Sequence, residues 1–177
     1  STNFIENVTC YGNIIENFGK FNNATCGGGI GIGSIKNALI AGNKISNIGT
    51  GSAYWGGVSL AQRIEDVIIK DNHIKNTNTM GISLRNVFRA INLIIKNNII
   101  TCTNGTMTAG IKVDSANVID GDISGNKVRG ITNHILKSNN LYTGIFPYCD
   151  QKFTRNSNDE HAIAPLYTRQ GYAFLDF

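Results

Sequence analysis

Proline is almost missing from this chain, at 2 residues in 177, tryptophan occurs once, and only 16% of residues are charged. The 16 basic residues outnumber the 12 acidic ones for a net charge of +4, yet they are scattered, with no Lys/Arg run and no basic helix. A nucleic-acid partner is therefore not indicated. No stretch approaches the ~20 apolar residues of a membrane-spanning helix, and no charged-then-apolar leader stands at the start. Cys10, Cys26, Cys102 and Cys149 are far apart, with no C-x-x-C pair and no histidine at zinc spacing, so they read as free thiols. No metal centre and no cofactor motif is expected. At this length one hydrophobic core is the expectation.

What is abundant is Gly, at 20 residues, together with Asn and aliphatics. That mixture suits short strands joined by tight turns. A self-similar unit runs through it, an Asn followed two residues later by an aliphatic. It occurs as Gly12-Asn13-Ile14-Ile15, Gly42-Asn43-Lys44-Ile45, Asp71-Asn72-His73-Ile74, Asn97-Asn98-Ile99-Ile100 and Gly125-Asn126-Lys127-Val128, with Asn-to-Asn spacings of 30, 29, 26 and 28 residues. Three residues before each Asn stand Cys10, Ile40, Ile69, Ile95 and Ile123, and five before stand Val8, Ala38, Val67, Leu93 and Gly121. A period of two marks a strand with one buried face. The residue just before each Asn is Gly, Asp or Asn, the types that accept positive φ at low cost.

A further strand follows four of these units, as Gly29-Ile30-Gly31-Ile32, Gly57-Val58-Ser59-Leu60, Gly81-Ile82-Ser83-Leu84 and Gly110-Ile111-Lys112-Val113. Each coil is thus expected to hold three short strands. Such a unit cannot bury its apolar face alone and must stack on its neighbours, at about 4.8 Å per coil. The fold expected is all-β: a right-handed, single-stranded parallel β-helix of about five coils over residues 1–140, closed by a non-repeating cap over 141–177. Asn13, Asn43, Asn72, Asn98 and Asn126 would then form an internal ladder, each amide bonding the next. Leucine-rich repeats and hexapeptide helices have other periods and do not fit.

The unit Gly-aliphatic-x-aliphatic, loop, aliphatic-x-aliphatic-x-Gly/Asp-Asn-x-aliphatic resembles the repeat of the pectate-lyase-like parallel β-helix superfamily, over roughly Val8 to Lys137. Within it the Asn-rich, Pro-poor coils and aromatic tail are most similar to bacteriophage tailspikes. The resemblance implies a glycan laid along the sheet built from the Gly-aliphatic-x-aliphatic strands, binding and depolymerisation of host surface polysaccharide, and a homotrimer in the virion. The runner-up it implies is a secreted polysaccharide lyase or glycoside hydrolase. A third reading is a segment that only folds and trimerises.

If Ile30, Val58, Ile82 and Ile111 point inward, an outer row of Gly31, Ser59, Ser83 and Lys112 follows, then a second of Gly33, Ala61, Arg85 and Asp114. Asp114, Arg85 and Lys112 are the candidate catalytic residues. Tyr54 and Trp55, in the loop entering this sheet, join Ser59 and Ser83 as candidate substrate-binding residues, since an aromatic face beside a polar floor suits a pyranose ring. Two-carboxylate hydrolysis needs a partner about 5 to 9.5 Å from Asp114; it would come from Glu65 or Asp66, in the loop after the second groove strand, or from another chain, while Asp120 and Asp122 read as solvated. Residues 27–33 match neither the dinucleotide nor the Walker spacing, Gly57-Val58-Ser59-Leu60-Ala61 lacks the second Gly of a nucleophile elbow, and His73 has no ligand partner at spacing.

After Lys137 the Asn period stops, and residues 141–177 hold eight of the fifteen aromatics. An aromatic cap covering the last strand edges is expected, with surplus apolar surface for contacts between copies. At the other end Phe4 to Gly12 already reads as coil, so the expectation is that further coils, with catalytic residues of their own, precede it.

Overall fold

The computed structural model describes residues 4–17, 28–49, 56–77, 79–115 and 119–137; the cap at 141–177, Cys26, Cys149, Tyr54 and Trp55 lie outside the described residues. Within them the chain is all-β and forms a parallel β-solenoid of about four turns, close to the five coils expected. Five strands carry the stretch before each ladder Asn: β1 (Ile5–Tyr11), β4 (Ile35–Ala41), β6 (Gly56–Lys70), β8 (Met80–Lys96) and β11 (Ile119–Ser124). Five short ones follow the Asn: β2 (Ile14–Glu16), β5 (Lys44–Ser46), β7 (His73–Lys75), β9 (Ile99–Thr101) and β12 (Lys127–Arg129). The remaining three are β3 (Ile30–Ile32), β10 (Ala109–Ser115) and β13 (Asn133–Lys137). All pair in parallel, as an eight-stranded sheet and a five-stranded one in the order β12-β9-β7-β5-β2.

The three-strand coil needs one correction. In the two middle coils the first and second strands are continuous, giving β6 its 15 residues and β8 its 17. Their expected separating turn shrinks to an irregularity around Ala61 to Arg63, where Gln62 takes φ 63° and the register against β8 shifts. So few residues bend the strand without breaking the ladder of hydrogen bonds.

The core is a set of vertical columns. Ile35, Ile64 and Ala90 align, as do Ile40, Ile69, Ile95 and Ile123, and Ile45, Ile74, Ile100 and Val128; all are buried. Like residues stack because a parallel register brings the same repeat position of successive coils together. Beside them runs the asparagine ladder. Each amide oxygen accepts from the backbone N–H and the Nδ2 of the preceding ladder Asn, at 2.8 to 3.0 Å. The Nδ2 atoms of Asn43, Asn72, Asn98 and Asn126 also donate to the carbonyls of Cys10, Ile40, Ile69 and Ile95. From Asn43 to Asn126 these side chains are buried, so the bonds are obligatory.

Apart from Gln62 and Gly105, the left-handed residues fall in three columns, of which the sequence pattern exposed one. Gly12, Gly42, Asp71, Asn97 and Gly125 precede the ladder with φ of 55 to 68°, as expected. A second column, six residues before it, holds Asn7, Asn37, Asp66 and Asn92 at φ 52 to 59°. A third, four residues after it, holds Asn17, Asn47, Asn76 and Gly130. Asparagine and aspartate tolerate this region better than other side chains, which accounts for the Asn-rich composition. The second column also bonds between coils: Asn37 Nδ2 donates to Asn7 Oδ1 at 2.6 Å and Asn92 Nδ2 to Asp66 Oδ1 at 3.0 Å.

A fourth column is glycine for lack of room. A Cβ on Gly29, Gly57 or Gly81 would meet the Cγ2 of Ile45, Ile74 or Ile100 at 2.5 to 2.6 Å, and the carbonyl oxygen of the next glycine in the column at 2.7 to 3.0 Å. Cys10 and Cys102 are free thiols, the latter buried.

Candidate functional site

The strands expected to carry the site lie in the anticipated register. Ile30, Val58, Ile82 and Ile111 align and face the core, and Gly31, Ser59, Ser83 and Lys112 align beside them. Ala61 pairs with Arg85, and Arg85 with Asp114. The backbones of all three candidate catalytic residues therefore sit on two adjacent coils, one strand spacing of about 4.8 Å apart.

The open serine floor is not there. Ser59 and Ser83 retain only 3% and 1% of their exposure. The Ser59 side chain turns back on its own strand, where its Oγ accepts the Gly56 N–H at 2.8 Å. A short hydroxyl bonded to the backbone leaves little for a ligand to reach. Gly31 and Gly33 are exposed, whereas Ala61, Arg85 and Lys112 are half-buried. Neither Arg85 nor Lys112 is without a partner. What the face presents is thus a narrow cationic patch of Arg85 and Lys112 over a buried serine row, with Asp114 at the backbone position opposite Arg85.

The carboxylates considered as partners for Asp114 are engaged elsewhere. Glu65 pairs with Lys36 at 3.6 Å on the outer face of β4 and β6, and Asp66 accepts from Asn92 in the second turn column. Asp122 accepts from Ser124 Oγ through Oδ2 at 3.0 Å, and its Oδ1 is buried without a partner, so it is not the solvated residue expected. Its position aligns with Ile94, one coil back, which limits water on that side. His73 is exposed on β7, facing out as expected. Among the described residues no three His, Cys, Asp or Glu side chains gather to hold a metal ion, and no helix is long and apolar enough to cross a membrane.

No protein-family model, curated protein or solved structure matches this chain. The fold is that of a parallel β-solenoid, and it is compatible with polysaccharide-binding and depolymerase proteins.

Proposed function

We propose that this chain is part of a tailspike-like virion protein whose β-helix binds host cell-surface polysaccharide. The observation that carries the reading is the in-register sheet of β3, β6, β8 and β10, which puts Lys112 and Arg85 on one outer face of a parallel solenoid. A rigid sheet fixes these side chains along the stacking axis, the direction in which an extended glycan would lie. Half-buried cations hydrogen-bond hydroxyls and carboxylates well, because neighbouring protein has already displaced part of their water. Tyr54 and Trp55 directly precede β6 in the sequence and would supply the ring-stacking face. Cleavage would draw on Asp114, Arg85 and Lys112, as base and charge stabiliser in a lyase or as acid in a hydrolase, the reaction of the secreted-enzyme alternative.

The test is a glycan array followed by titration of the best glycan. Arg85→Ala and Trp55→Ala should each weaken binding by about tenfold, the loss of one good polar or aromatic contact, with melting unchanged. Equal affinity in both variants would remove the groove, and a reducing-end assay on the same glycan separates binding from cleavage. The assembly proposed with this reading is a homotrimer closed through the aromatic region 141–177. Light scattering should return three times the 19.2 kDa chain mass; a monomer at micromolar concentration would leave the aromatics as an ordinary cap.

A further inference from the structure

The outer face of the five-stranded sheet gathers cations that are far apart in sequence. Ile14, Lys44, His73, Ile99 and Lys127 form one row, and Glu16, Ser46, Lys75, Thr101 and Arg129 the next. Lys70 and Lys96 stand side by side just before the ladder turn and flank this face. Lys44, Lys70, Lys75, Lys96, Lys127 and Arg129 are all exposed. Among the described residues the acids near them are few: Glu16, at the first coil, accepts from the Ser46 hydroxyl, and Asp71 lies 3.9 Å from Lys70. Lys44, Lys75, Lys96, Lys127 and Arg129 form no ion pair among the described residues. Glu6, Glu65, Asp66 and Asp122 all belong to the other sheet. Among the described residues, positive charge is therefore concentrated on this face.

Lys70 and Lys96 are like charges directly opposite on adjacent strands, where they repel, while Lys44 and Lys75 lie diagonally on adjacent strands and Lys127 and Arg129 alternate on one strand. Lys75 and Arg129 stand two coils apart, about 10 Å, which is about one Debye length at 0.1 M salt, so the fields of neighbouring cations on this face still add. Both facts point to an external polyanion with charges repeating along the solenoid axis. The face is flat, and its only described aromatic carbocycle is Tyr11, at the first coil, so it offers no run of platforms for stacking bases. Ile99, 39% exposed between His73 and Lys127, instead offers an apolar spot of the kind that meets the C–H face of a sugar ring.

We propose that this face binds a linear anionic polysaccharide bearing carboxylates on successive sugars, laid across the coils from Lys44 to Lys127. The site lies on a different sheet from Arg85 and does not rest on the groove reading.

Calorimetric titration of the whole chain tests it, with polygalacturonate as probe and its fully methyl-esterified form as the neutral control. The wild type should bind the acid polymer, lose affinity several-fold when salt rises about fourfold, and ignore the ester. The triple variant Lys75→Gln, Lys127→Gln, Arg129→Gln should bind at least about tenfold more weakly, and so should Lys44→Gln with Lys96→Gln, each melting as the wild type because the side chains are exposed. Arg63→Gln, which removes an exposed cation of the other sheet, should bind as the wild type, and a fall in affinity confined to Arg85→Ala would assign the polymer to the groove and overturn the proposal. So would absence of wild-type binding, unchanged affinity in both basic-face variants, equal binding of the ester, or tighter binding of a single-stranded oligonucleotide.

Discussion

Asn72→Ala should destabilise the solenoid by about 3 kcal/mol, seen as a lowered urea midpoint and melting temperature. The size follows from what the side chain holds. Its Oδ1 accepts from the N–H and Nδ2 of Asn43, and its Nδ2 donates to Asn98 Oδ1 and to the Ile40 carbonyl. Truncation takes those bonds from four groups, of which Asn43 Nδ2 and Asn98 Oδ1 each keep one other bond, and each buried group left unmet costs about 1–3 kcal/mol before relaxation or an entering water reduces the sum. Asn72→Asp should do no better at neutral pH, because a carboxylate cannot donate and would set its charge against the Ile40 carbonyl and Asn98 Oδ1. Asn13→Ala is the control: that residue is exposed, and its loss should cost under ~1 kcal/mol. Wild-type melting of Asn72→Ala would remove the ladder as a source of stability.

Gly57→Ala should cost a comparable amount, about 2–4 kcal/mol, though it adds only one methyl to a buried position. That methyl would lie 2.6 Å from Ile74 Cγ2, 3.0 Å from the Gly81 carbonyl oxygen and 3.2 Å from Thr77 Cγ2. The Ile74 and Thr77 side chains are fully buried and cannot swing aside, and the carbonyl belongs to the paired strand. A double-mutant cycle identifies the cause: in an Ile74→Ala background the same substitution should cost clearly less, since the methyl it strikes is gone. Equal costs in both backgrounds would shift the blame to the backbone. Gly33→Ala, whose Cβ would meet nothing within 4 Å, should be nearly neutral.

The parts of this molecule legible in the sequence are those fixed by period. Asn13, Asn43, Asn72, Asn98 and Asn126 recur at nearly constant spacing, and a parallel register turns constant spacing into vertical alignment, so the ladder, the αL residue before it and the inward aliphatics could all be placed. The turn columns of Asn7, Asn37, Asp66 and Asn92 and of Asn17, Asn47, Asn76 and Gly130 carry the same signal, six residues before and four after the ladder. Unlike the column just before the ladder, which adjoins an Asn present in all five coils, they stand several residues from that marker, and Asp and Gly interrupt the asparagines. The fusion of two strands in β6 and β8 was not legible, since a bend made by one αL glutamine has no compositional mark. The candidate site was read less well for a different reason. Alternation tells which side of a strand Ser59 and Ser83 take, but whether that side is open depends on rotamer and neighbours, which have no period. The basic face shows the converse, with cations 26 to 31 residues apart becoming neighbours only when the coils stack.

The ladder also has a sense. From Asn43 to Asn126 each amide oxygen receives from the asparagine of the coil before it, and the Nδ2 of Asn13, Asn43, Asn72 and Asn98 gives to the amide oxygen of the coil after. Donors and acceptors therefore point one way along the stack. A coil continues the ladder only if it runs parallel and sets an asparagine at the same position, bonding through its own N–H and amide. An antiparallel segment could gain backbone bonds but would leave a buried amide without its partner. The asparagine that stabilises the interior thus also selects the direction and register in which coils join.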